Sequence, residues 1–173
     1  MLAQEFYKTV VKDKVNILDR LIKVFDIHSV RYCIIGGQAV NAYAEPVVSL
    51  DLDIVVAAEQ LRVVEELLLK EFTVTKHEHS LHVSAYGSDL RIQIQTDPKY
   101  ADFPDRAEVH EVLGVKLPVA SLTDLLQGKV WAVTDKSRRT SKRLKDLSDI
   151  ARLLEVYPRL RDEVPEEILK KLE

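Results

Sequence analysis

Several protein classes are excluded by what this chain has little of. A single cysteine, Cys33, in 173 residues rules out an intramolecular disulfide and any cysteine-built metal cluster. It reads as a small buried thiol. Five glycines and six prolines are too few for a fibrous or low-complexity chain, and 46% hydrophobic residues are too many for intrinsic disorder. The longest apolar run, Ile54 to Ala58, falls far short of the ~20 residues that cross a bilayer. Lys8, Lys12, Asp13 and Lys14 interrupt the start of the chain, where a signal peptide would need a continuous apolar core. The expected location is therefore the cytoplasm. No sign of charge dominates: 25 basic and 28 acidic side chains give a net charge of -3, which excludes a strongly basic nucleic-acid-coating protein but leaves room for a local basic patch.

What is present is a mixed pattern of periods. From Leu2 to Phe25, apolar residues at three- and four-residue intervals predict one amphipathic helix. Val30 to Ile35 reads as a buried strand ended by Gly36-Gly37, and Gln38 to Ala44 as a helix that stops before Pro46. Ser49 to Val55 alternates, with Leu50, Leu52 and Ile54 on one face and Asp51 and Asp53 on the other. A helix over Ala57 to Lys70 follows, then strands over Phe72 to Lys76, Leu81 to Tyr86 and Leu90 to Thr96, expected as a mostly antiparallel meander. Gly114 and Pro118 punctuate a last strand region before helices over Leu122 to Thr134 and Ser141 to Val156. No repeat or linker divides the chain, so the expectation is one α+β (mixed α/β) domain over 1–173, with a sheet core at about 28–120 and a helical portion at about 121–173.

The chemistry concentrates where a glycine pair is followed, after the thirteen residues from Gln38 to Leu50, by Asp51-Leu52-Asp53-Ile54. A Gly-Gly turn lets a polyphosphate approach the backbone, and the helix start beyond it, at Gln38, presents free N–H groups and the positive end of a dipole. Aspartates two apart on a strand project the same way, ~6.6 Å apart along it. Such a pair can hold a hard divalent cation shared with phosphate oxygens. Taken singly, each part has a plainer reading: a simple turn, and the wet face of an edge strand.

These residues resemble the signature of the DNA polymerase β-like nucleotidyltransferase superfamily: Ile35-Gly36-Gly37, a spacer, then Asp51-Leu52-Asp53-Ile54. The stretch from Leu117 to Lys129 and that from Lys145 to Leu154 are similar to the small bacterial branch of AbiEii-type toxins of type IV toxin–antitoxin systems. The resemblance spans roughly residues 30 to 155. It implies a mixed sheet flanked by helices with a C-terminal helical portion. It also implies a nucleoside triphosphate substrate, Mg2+ or Mn2+ held by Asp51 and Asp53, and phosphates bound by Gly36, Gly37, Gln38 and Lys129. A nucleoside monophosphate would pass to a hydroxyl on RNA, a protein or a small molecule, and a cognate antitoxin is a possible partner. The chain departs from the pattern at one position. The stretch that usually supplies a third carboxylate is here Leu90-Arg-Ile-Gln-Ile-Gln95, and its best match, Gln93, can ligate but cannot accept a proton. Asp89 and Asp97 share its parity but lie ~13 Å along the strand. The rival expectation is therefore a degenerate member that binds nucleotide, RNA or a protein without turnover.

Other charged features carry two readings each. Lys129 falls within the apolar stripe of its helix and needs an anion, either a triphosphate or Asp146. Asp146 and Asp149 read as solvated partners of Lys142 and Lys145, while the resemblance makes them part of the substrate wall. Lys136 to Lys145 holds six basic residues in ten, a solvated face or an RNA contact. His77, His79 and His82 read as part of a surface hairpin.

Overall fold

The computed structural model describes residues 2–173. In chain order its elements are α1 (Ala3–Val10), α2 (Ile17–Ile27), β1 (Tyr32–Ile35), α3 (Gly36–Tyr43), β2 (Asp51–Val56), α4 (Leu61–Leu69), β3 (Thr73–Lys76), β4 (Ser80–Ser84), β5 (Arg91–Gln95), β6 (Glu108–Val112), β7 (Val115–Val119), α5 (Leu122–Thr134), α6 (Thr140–Val156) and a last helical turn, α7 (Glu166–Leu169). The seven strands form one sheet in the order β3-β4-β5-β2-β1-β7-β6. This is a mixed α/β fold, as the alternation of periods implies.

The expected antiparallel meander is real across β3, β4 and β5. The mixed character comes from β5 joining β2 in parallel and β7 joining β1 in parallel. Parallel neighbours need long connections, and here the chain between β2 and β5 supplies α4 and the β3–β4 hairpin. Alternation then sorts each central strand into a dry and a wet face. Leu52, Ile54, Leu81, Val83, Ile92 and Ile94 are at most 2% exposed and share one core with the buried stripes of α2 and α4. The other face carries Asp51, Asp53, Arg91 and Gln93. On that side α5 and α6 pack on each other and on α3, leaving a cleft between helix pair and sheet.

Two expectations fail for local reasons. The single helix over Leu2 to Phe25 is two helices, α1 and α2. Lys12 and Asn16 take left-handed backbone angles, and the Asp13 carboxylate accepts hydrogen bonds from the Val15 and Ile17 amides, both at 3.2 Å. Such side-chain bonds offer the backbone an alternative to the helix ladder. The apolar period continues through the break because both halves bury one face. The last strand region is a two-strand hairpin, β6–β7, turning at Leu113 and Gly114, both with positive φ. A leucine in that conformation is rare, and the turn is hidden from composition. Elsewhere Cys33 is buried, as expected. Among the described residues no helix is long and apolar enough to cross a membrane.

Ile94 is fully buried in β5, between β2 and β4. Ile94→Ala should cost about 2–5 kcal/mol in urea unfolding, and a loss under about 1 kcal/mol would contradict its place in the core.

Candidate active site

The site is built where β1 ends. Ile35 pairs with Asp53 across the antiparallel β1–β2 ladder, so the next residue, Gly36, turns directly over the Asp53 side chain. Gly36 has φ +71°, and a Cβ placed on it would lie 2.2 Å from Asp53 Oδ2. The glycine is thus required twice, for its left-handed backbone and for the room it leaves a carboxylate. Gly37 is different: the nearest atoms to a Cβ there are Lys145 Cε and Nζ at 3.9 Å. It keeps the helix start open without being sterically obligatory.

On the other side of β2 the parallel register pairs Asp51 with Arg91 and Asp53 with Gln93. Asp51 is held by two cations, Arg91 Nε at 2.7 Å and Lys142 Nζ at 3.4 Å. Among the described residues Asp53 has no ion-pair partner at that range, and it lies in the cleft floor beside Gln93. Burial pushes its carboxyl above the usual aspartate value. Lys129 opposes that shift, Asp51 adds to it, and Arg138 and Lys142 pull it back in part.

A second charge cluster forms the helical wall. Lys129 Nζ lies 2.7 Å from Asp149 Oδ2 and 3.0 Å from Asp146 Oδ1. Arg138 Nε reaches Asp146 Oδ2 at 2.5 Å, and Arg152 Nη1 reaches Asp149 Oδ1 at 2.9 Å. Burial alone would lower the Lys129 pKa, but Asp149 and Asp146 outweigh it and leave the ammonium raised. Of the two readings of Lys129, the ion pair with Asp146 is the one observed, widened to Asp149. The expected solvated pairing of Asp146 and Asp149 with Lys142 and Lys145 is not: both carboxylates are buried, at 2% and 3% exposure. A buried lysine on α5 is a stronger demand for them than surface lysines on their own helix.

The basic segment is likewise more than a solvated face. Arg138 and Lys142 turn inward to Asp146 and Asp51, while Lys136, Arg139 and Lys145 stay exposed. Gln38 stays in the first turn of α3, with its side chain turned to the loop before β2. Its Nε2 donates to the Ser49 carbonyl at 3.1 Å, and with Asn41 it fixes the loop that leads into β2. Asp89 and Asp97 do not substitute for a third carboxylate. Asp89 lies 3.9 Å from Lys12, and Asp97 accepts from the Lys99 amide.

The cleft has a volume of about 120 Å3, with Asp53, Gln93, Lys129, Arg138 and Asp146 among its walls. Tyr100 and Phe103, in edge contact with ring centroids 5.2 Å apart, close its apolar end. Arg138, Tyr100 and Phe103 were not legible as site residues, because each reaches the cleft through loop packing, and Arg91 reaches Asp51 only through strand register. As to metal, Asp51 and Asp53 are hard oxygen donors of the kind Mg2+ takes as one or two carboxylates completed by phosphate and water. They fit one such ion. No group of three or more His, Cys, Asp or Glu able to hold a metal occurs among the described residues.

Two predictions follow from this packing. Gly36→Ala should lower the thermal midpoint, losing at least the ~1–2 kcal/mol of unfolding free energy of a left-handed alanine, while Gly37→Ala should leave it unchanged or higher. Lys129→Met takes one of two cations from each of two buried carboxylates, leaving Arg138 on Asp146 and Arg152 on Asp149, and should cost about 1.5–3 kcal/mol in denaturant unfolding. A near-neutral Lys129→Met would show the ion cluster to be solvated after all.

No family model matches the chain, and no curated protein matches it. Solved structures do. The antibiotic-resistance factor ANT(2'')-Ia aligns with a TM-score of 0.54 at 12% identity, over 84% of this chain and 94% of that one. The lincosamide antibiotic adenylyltransferase LnuA, solved with lincomycin bound, aligns with a TM-score of 0.52 at 14% identity, over 82% and 99%. An antigenic nucleotidyltransferase-like protein from Paracoccidioides brasiliensis aligns with a TM-score of 0.50 at 18% identity, over 89% and 78%. The sheet of paired strands around a glycine bend thus belongs to the nucleotidyltransferase fold.

Proposed function

We propose that the protein is a magnesium- or manganese-dependent nucleotidyltransferase that moves a nucleoside monophosphate from a nucleoside triphosphate to a hydroxyl acceptor, releasing pyrophosphate. One observation carries the reading: Asp51 and Asp53 project from one strand face, with the Gly36 bend lying against Asp53. The triphosphate enters along Gly36-Gly37, where no side chain obstructs it. Its negative charge draws Lys142 and Arg91 away from Asp51, so cations that now neutralise a carboxylate come to neutralise phosphate. Lys145, exposed beside Gly37, adds to the same charge. Asp51 and Asp53 would hold the metal ion, which when bound would polarise the α-phosphate and offset charge on the leaving pyrophosphate. Lys129 keeps Asp146 and Asp149 in place and so fixes the helical wall opposite.

The adenylyltransferase among the similar structures supports a small-molecule hydroxyl as acceptor. The exposed Lys136, Arg139 and Lys145 support an RNA acceptor only through phosphate contacts, without interleaved aromatics for stacking. A toxin role with a cognate antitoxin rests on the sequence resemblance of the two C-terminal stretches alone. A second reading, nucleotide binding without turnover, is favoured by Gln93, which stands in register with Asp53 and cannot act as a base.

Incubation with α-labelled nucleoside triphosphates, magnesium and cell extract decides between them. The wild type should label an acceptor, and Asp53→Asn should reduce labelling to background. Equal labelling by both proteins would defeat the assignment. Thermal stabilisation by nucleotide without magnesium, and with no labelling, would establish the second reading.

A further inference from the structure

His77 and His79 lie exposed around the β3–β4 turn, as a surface hairpin should. His82 is placed otherwise. It pairs across the β4–β5 ladder with Gln93, which pairs in turn with Asp53. Residues directly paired across neighbouring strands share a face, so Asp53, Gln93 and His82 form one row on the polar side of the sheet. Ser80 and Gln95, paired in the adjacent row, line the cleft, which therefore extends along this face as far as β4. With strands about 4.8 Å apart, the backbones of Asp53 and His82 are separated by about 10 Å. Gln93 stands between them, and His82 lies at the β4 border of the cleft, in the row next to that of Ser80, so a phosphoryl group at Asp53 would have the His82 side of Gln93 open to an attacking hydroxyl.

We propose that His82 is the general base of the transfer, standing one strand beyond the position where Gln93 replaces a carboxylate. This rests on the nucleotidyltransferase reading and completes it, since apart from Asp53, which that reading commits to the metal, the row otherwise has no group that can take a proton. The neutral imidazole removes the proton of the acceptor hydroxyl. The acceptor oxygen forms its bond to the α-phosphorus, the bond from that phosphorus to the bridging oxygen breaks, and pyrophosphate leaves with the electron pair. The imidazolium then returns its proton to water. Gln93, between the two, can donate to or accept from the acceptor hydroxyl and orient it.

The surroundings of His82 suit a base that is neutral when substrate arrives. Burial lowers its pKa, and the His77 ring, 4.1 Å away between centroids, lowers it further. Asp51, across the same face, pulls it the other way. The other charged groups on this face are Asp53 in the same row, Arg91 of β5 and Lys142 of α6, both of these cations paired with Asp51, while Thr75 opposite on β3 is neutral. Below its ordinary value near 6.5, an imidazole is unprotonated at neutral pH and ready to accept.

The test compares wild type, His82→Gln and the double variant His82→Gln with Gln93→Glu, using α-labelled nucleoside triphosphates, magnesium and cell extract. His82→Gln should slow transfer by about 10²-fold or more, the usual contribution of a general base, with nucleotide-dependent thermal stabilisation unchanged. Adding Gln93→Glu should restore part of the rate, with the pH profile moved to the acid side. Wild-type rate and pH profile in His82→Gln, while Asp53→Asn is inactive, would overturn the base and leave the transferase reading standing. Loss of nucleotide stabilisation in His82→Gln would show a structural role and likewise overturn it. Absence of transfer by the wild type would overturn both.

Discussion

A side chain at position 36 would overlap the Asp53 carboxylate, its Cβ 2.2 Å from Oδ2, and the rest of the site follows from that closeness. The β1–β2 register sets it, by pairing Ile35 with Asp53. Because the bend touches the carboxylate, anything that lies along the bend meets Asp53. A polyanion there needs counter-charge, and the structure holds cations within reach: Lys142, Arg91 and Lys145 are gathered around Asp51, Ser49 and Gly37. The fold thus gathers a carboxylate and several cations around one glycine bend.

The charges of the cleft divide by burial. Lys129, Asp146 and Asp149 are nearly sealed, so the attraction of the ammonium for the two carboxylates acts in a low dielectric and ties α5 to α6. Asp51, Lys142 and Arg91 are more open, with side-chain exposures of 13%, 37% and 64%. Their pairings are weak in water and can be exchanged for contacts to a ligand. One cluster is architecture and the other is exchangeable, although both consist of the same residue types a few ångströms apart.

Much of this was legible in the chain, and what was not has a common cause. Gly36-Gly37 and Asp51-x-Asp53 stand out because their chemistry is local: a turn, a helix start and a strand of period two. The helix Leu122–Thr134 is recovered to the residue, because a 3.6-residue apolar stripe marks its face, and the structure adds Ser121, which accepts from the Asp124 amide, as its cap. Arg91, His82 and Arg138 were invisible as site residues because their placement depends on parallel pairing of β2 with β5, on the β4–β5 register, and on a turn between helices. None of these is encoded within a short window. Lys129 shows the intermediate case: its position in an apolar stripe announced a buried cation, but only packing could choose Asp146 and Asp149 over a ligand. The break between α1 and α2 was hidden because Asp13 acts through its own neighbours' amides without disturbing the apolar period.

The central claim is that one crevice receives a triphosphate against Gly36 and Asp53 at the expense of the Lys142–Asp51 contact. A crystal structure with magnesium and an α,β-methylene nucleoside triphosphate tests it most directly. The account predicts an α-phosphate between the glycine bend and Asp53, a metal ion on Asp51 and Asp53, and Lys142 moved from Asp51 to phosphate. A nucleotide bound elsewhere, or one bound here with Lys142 still on Asp51 and no metal beside it, would contradict it.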